Sequence, residues 1–125
     1  MLEIANHSST GILQKDIARN QEISNKYLDH IIHALKAAGL IINVKGKKSG
    51  YVITRDPSEI SIYDIHNAFE PGICVIDCMS RAVKCSREKY CNSKGFWAGL
   101  NKQVIEYFKS ISIEDLLKKE KQLDD

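Results

Sequence analysis

Residues 23–40, ISNKYLDHIIHALKAAGL, place Leu28, Ile31, Ile32 and Leu35 along one face of a helix. Ser24 stands where an N-cap belongs, and Gly39 stands where a helix of this length ends. Just upstream, Gln14 to Asn20 predicts a shorter helix with Ile17 and Ala18 facing inward, followed by the tight turn Gln21-Glu22-Ile23. Small Ala18 permits a close helix crossing, and Ile23 plugs the turn. Downstream, Leu40–Lys45 and Tyr51–Arg55 read as two strands rich in β-branched residues, joined by the basic connector Gly46-Lys47-Lys48-Ser49-Gly50. Two short helices, a turn and a basic hairpin make a winged helix-turn-helix, so the expected fold is mainly α with a small β-wing.

Such a fold projects its second helix into a major groove roughly 12 Å wide. The groups available for that task are Ser24, Asn25, Lys26, Tyr27 and His30 on the helix, with Lys45, Lys47 and Lys48 on the hairpin. Hydroxyls and amides can bond phosphates or base edges, and the lysines supply charge. The competing reading is a plain helical hairpin with a solvated polar face, and the lysine-tipped hairpin weighs against it. Glu22 occupies a turn position that tends toward positive φ, where glycine is less strained.

Charge is distributed unevenly. Eight lysines and arginines against three acids between Leu13 and Arg55 give that stretch a formal +5; with +2 for the whole chain, the remainder carries −3. A basic front half suits nucleic acid. No apolar run approaches the roughly 20 residues of a membrane span, and no charged-then-apolar leader opens the chain. The expected compartment is therefore the cytosol, where the four cysteines are reduced ligands more readily than disulfides. Gly-rich phosphate loops, a nucleophile elbow and carboxylates at catalytic spacing are all missing from the sequence, which argues against an enzyme.

Pro57 and Pro71 punctuate the rest. Between them Ser61 and Asp64 form an acidic capping box for a helix Ile62–Phe69. Gly95–Ser110 carries Phe96, Trp97, Leu100, Val104, Ile105 and Phe108 at helical spacing, and Ser112 with Asp115 opens a last helix through Leu117. The expected divisions are a DNA-binding unit over 1–70, a cysteine loop over 71–94 and a dimerisation helix with the C-terminal helix over 95–125. Within the loop, Cys78, Cys85 and Cys91 are spaced too widely for zinc knuckles, and the gaps suit a loop wrapped around a larger object such as an iron–sulfur cluster.

The run ISNKYLDHIIHALKAAGLI, then VKGKKSGYVITR, then the cysteine loop and a Trp-bearing helix resembles the IscR/NsrR/CymR-type winged-helix regulators, from Leu2 to Leu117. The resemblance implies a homodimer in which the helix bearing Trp97, Leu100, Val104 and Phe108 crosses its mate, setting two reading heads on a palindromic operator in double-stranded DNA. It also implies that Cys78, Cys85 and Cys91 hold a 2Fe–2S or 4Fe–4S cluster. The fourth ligand is open. Cluster-assembly members place a histidine where this chain has Lys94, and nitric-oxide-sensing members use an acid from a first helix that is short here, the family pattern having further residues before Met1. Cys74 is a candidate, although a cysteine between Ile73 and Val75 is more often a small buried apolar residue. The expected function is a DNA-binding transcription regulator, a repressor in this reading, sensing redox, nitric oxide or iron–sulfur status. The alternative is a metal-free regulator controlled by a partner protein or thiol oxidation.

Overall fold

A computed structural model describes residues 1–45 and 50–124. The helices are α1 (Leu2–Asn6), α2 (Gln14–Asn20), α3 (Asn25–Ala37), α4 (Ile62–Phe69), α5 (Lys94–Ser110) and α6 (Ile113–Leu123). The strands β1 (Ile41–Asn43) and β2 (Tyr51–Ile53) pair antiparallel, with Ile42 opposite Val52. The fold is a mostly helical winged helix, as the sequence pattern required.

Helix α3 forms where its caps and stripe dictate. The Ser24 hydroxyl accepts the Tyr27 N–H at 3.1 Å, and Gly39 takes φ +72, ending the helix. Leu28, Ile32 and Leu35 are buried, with Ile31 packed at the core edge. Ile17 and Ala18 of α2 join the same core, and Ile23 packs against it from the turn. Glu22 adopts φ 53, the left-handed conformation expected of its position.

The strands are shorter than the apolar runs. Leu40 is buried, and its carbonyl accepts the Thr54 N–H at 3.1 Å beyond the regular ladder. A third segment completes the wing base: Ile12 and Tyr51 exchange backbone hydrogen bonds of 3.2 and 2.9 Å. Gly50 permits this approach, since a Cβ there would lie 2.9 Å from the Ile12 nitrogen.

Helix α6 runs to Leu123, six residues beyond Leu117. Apolar periodicity stops at Leu117, but Lys118–Gln122 are good helix formers, and Lys118 pairs with Glu114 one turn back at 3.3 Å. Ile113 is fully buried in the same core as α3, so α6 folds back against α1 and the front of the chain. Both expected capping boxes are present, Ser61 with Asp64 and Ser112 with Asp115. No helix among the described residues is long and apolar enough to cross a membrane.

Candidate nucleic-acid interface and cysteine loop

The reading head is braced by polar contacts that the sequence pattern did not reveal. Gln14 of α2 bonds the Asp29 carboxylate and the Asn25 carbonyl of α3, and its own oxygen accepts the Tyr51 hydroxyl at 3.4 Å. One side chain therefore ties α2, α3 and β2 together. Glu3 of α1 likewise accepts from Asn20 and, at 2.8 Å, from Gln21, fixing the approach to the turn. These partners lie 11 to 37 positions apart, a separation at which no local pattern announces them.

Asn25, Lys26, Tyr27 and His30 are all exposed on α3, as is Ser24 at its leading end. Tyr27 is 59% exposed. His33 is exposed too. Lys45 is exposed at the end of the described part of the hairpin, whereas Lys47 and Lys48 lie outside the described residues. Lys36 reaches over the Tyr51 ring at 5.9 Å, linking the C-terminal end of α3 to the wing.

The cysteine stretch is a long loop carrying two single 3₁₀ turns, Asp77–Met79 and Glu88–Tyr90. It is fastened at its start. The Gly72 N–H donates to Asn67 of α4 at 3.0 Å, and the Val75 N–H donates to Asn101 of α5 at 2.8 Å. The Asp77–Met79 turn then packs on α5. At its end the Glu88 N–H donates to the Cys85 carbonyl at 3.2 Å, and the Lys94 N–H donates to the Cys91 carbonyl at 3.4 Å. Asn101 did carry a signal: it is a polar residue set within the stripe of Trp97, Val104 and Phe108.

Cys78, Cys85 and Cys91 line one small cavity of about 30 Å³, together with Met79, Glu88 and Lys94. All four cysteines are free and exposed. Cys74 is not on this cavity, and its exposure corrects the expectation of a buried apolar residue: Ile73 turns into the core instead. The Lys94 ammonium lies 2.6 Å from Glu88 Oε1. That bond, with the charge behind it, holds the Glu88 carboxyl below its ordinary range and raises Lys94 above its own, the Cys91 and Cys78 sulfurs adding to the rise. Five lysines and arginines against the single acid Glu88 between Cys78 and Lys94 make the loop basic, so the acid of the back half lies elsewhere.

Among the described residues, no three His, Cys, Asp or Glu side chains gather closely enough for one metal ion. What bears on an iron–sulfur group is the chemistry of the donors: three cysteine sulfurs share one cavity, and thiolate is the ligand such clusters take. The donor set fits such a group.

Helix α5 presents two apolar faces. Trp97, Val104, Ile105 and Phe108 are partly buried, and Phe108 stacks edge-on against His66 of α4 at 5.9 Å. Phe96, Leu100 and Tyr107 lie on the other face, 68%, 37% and 64% exposed. The expected dimer stripe is thus split: Phe108 is engaged within the chain, and Leu100 is open.

A short helix braced behind an exposed one, a wing and a cysteine loop on a long helix define a winged-helix transcription regulator, not an enzyme. The chain belongs to the Rrf2 family, described as iron-dependent transcriptional regulators, whose profile matches residues 1–119. It is 30% identical over 125 residues to the HTH-type transcriptional regulator IscR of Xenorhabdus nematophila, covering 99% of this chain and 76% of that one. It is 29% identical over 119 residues to the protein rrf2 of Nitratidesulfovibrio vulgaris. Among solved structures it resembles T. potens IscR with TM-score 0.78 at 27% identity, covering 99% of this chain and 82% of that one. It also resembles CymR, the global cysteine regulator of B. subtilis, with TM-score 0.74 at 27% identity, covering 94% and 87%.

Proposed function

We propose that this regulator binds a palindromic operator as a homodimer, acts as a repressor, and responds to redox, nitric oxide or iron–sulfur status through a cluster held by Cys78, Cys85 and Cys91. The observation that carries the reading is the meeting of three thiols, from positions spread over fourteen residues, on one cavity. In this reading residues 1–70 read DNA, 71–94 hold the cluster, and 95–125 carry the dimer helix. When bound, the cluster supplies a redox-active, oxygen- and nitric-oxide-reactive centre.

The protein's own part is mechanical. Asn101 and the Asp77–Met79 turn fasten the loop to α5. Helix α4 packs against both α5 and α3, so a shift of the loop passes through α4 to the reading helix. A coupling of about 1–3 kcal/mol suffices to change operator occupancy several-fold or more. On the DNA side, Asn25, Lys26, Tyr27 and His30 enter the groove, the Ser24 hydroxyl reaches a phosphate, and Lys45, Lys47 and Lys48 bind the flanking backbone.

Anaerobic reconstitution with iron and sulfide, followed by operator titration of apo and loaded protein, tests the proposal. Bound iron and a difference between the two affinities are expected; colourless protein, or equal affinities, would remove the sensing claim. One observation favours a second reading, a metal-free thiol switch: all four thiols are solvent-exposed. An operator affinity that responds to peroxide in iron-free protein would support it.

A further inference from the structure

The geometry points to Glu88 as the fourth donor, an oxygen ligand completing the set made by Cys78, Cys85 and Cys91. This rests on the cluster reading above and goes beyond it, since the family resemblance leaves the fourth position open. Of the other groups on the cavity, Met79 offers only a neutral thioether, and Lys94 as an ammonium has no lone pair to give. Glu88 alone adds a second kind of anion to the thiolates.

Its position is fixed by the ligand loop itself. Glu88 opens the 3₁₀ turn that ends just before Cys91, and its N–H is bonded to the carbonyl of Cys85. Two of the three cysteines thus set where its backbone stands. The Lys94 ammonium, on the same cavity, bonds the carboxylate at 2.6 Å, while its own N–H is bonded to the Cys91 carbonyl. The lysine therefore positions the acid at the cavity and offsets part of the negative charge that three thiolates and a carboxylate bring together. Carboxylate oxygen is a harder, more exchangeable donor to iron than thiolate sulfur, so one iron would be the point at which oxygen or nitric oxide enters.

The test uses the full chain, loaded anaerobically with iron and sulfide, as wild type, Glu88→Ala, Glu88→Cys and Cys74→Ser. Readouts are Mössbauer and resonance Raman spectra and the half-life of the bound iron against a chelator. Glu88→Ala should load but release iron several-fold faster, with the site-differentiated iron signal altered. Glu88→Cys should lengthen the half-life and shift the spectra toward an all-thiolate pattern, and Cys74→Ser should match wild type. Spectra and half-lives unchanged in both Glu88 variants would overturn the assignment while leaving the cluster reading standing, as would loss of the signal in Cys74→Ser. Wild type that takes up no iron would overturn both.

Discussion

Ser61 and Ser112 face each other across an isolated antiparallel bridge, and each opens a helix through its own capping box. The Ile113 N–H donates to the Ile60 carbonyl and the Ile62 N–H to the Ile111 carbonyl, both at 2.9 Å. Ile60 and Ile113, on either side of this bridge, are wholly buried. One short backbone pairing therefore aims α4 toward the reading helix and α6 back toward α1. Replacing Ser112 by Ala should lower stability by about 1 kcal/mol, the ordinary value of a lost cap, while Ile113→Ala should remove about 2–5 kcal/mol. Urea titrations of both variants check the ranking; equal losses would show that the cap weighs as much here as the buried side chain.

The same cap has an acid limb. The backbone and hydroxyl of Ser112 donate to Asp115 and hold its carboxyl below the ordinary value. A depressed folded-state pKa contributes stability above the unfolded-state pKa and loses it as pH falls through the folded value. Asp115→Asn should therefore flatten the decline of melting temperature with falling pH below the normal aspartate range near 3.9. Parallel acid limbs in wild type and variant would contradict this.

Glu22 carries a side chain at φ 53. The left-handed conformation strains a residue with a Cβ, so Glu22→Gly should stabilise the protein by about 1 kcal/mol. It also removes a negative charge from the turn that leads into the reading helix, so operator affinity should rise as well. Thermal melts and binding isotherms at one salt concentration read the two effects separately. A fall in melting temperature would mean that glycine's entropy in the unfolded chain outweighs the relieved strain.

Much of this architecture was legible because it is local. Ser24, Gly39, Ser61 and Ser112 act within three or four residues of themselves, and the stripe of α3 repeats every turn. The braces were not legible, since Gln14 meets Tyr51 and Glu3 meets Gln21 only after the chain has folded. The end of α6 was missed for another reason: beyond Leu117 the helix is sustained by propensity and an ion pair rather than by an apolar face. At the cysteine loop, sequence singled out the three cysteines that share one cavity but took Cys74 for a buried residue, because its apolar neighbours gave no sign of which one would turn inward. The ion pair of Glu88 with Lys94 was not legible either, because the departure from the family's histidine drew attention to Lys94 but not to its partner.

If Lys26 and Lys45 bind phosphates, Lys26→Ala and Lys45→Ala should each weaken operator and unrelated DNA alike. Each should also reduce the slope of log affinity against log salt by about 1. Asn25→Ala should instead lower affinity for the operator alone and leave the salt slope unchanged. Fluorescence anisotropy over a salt series distinguishes the two patterns. An unchanged slope in both lysine variants would place the DNA on another face.

The open face of α5 yields the last expectation. Phe96, Leu100 and Tyr107 lie on one side of the helix while α4 covers the other, and a row of large apolar groups left in water favours association. A twofold-related copy laid across this face would bury the same residues from both chains, as an isologous interface requires. Leu100→Lys should put two ammonium groups into that contact and yield a monomer of unchanged helix content, because Leu100 makes no part of the buried core. Each monomer would carry a single reading head, so affinity for a palindrome should fall toward that for a half-site. Sedimentation velocity with circular dichroism reads both properties on one sample, and a variant that remained dimeric would move the interface elsewhere.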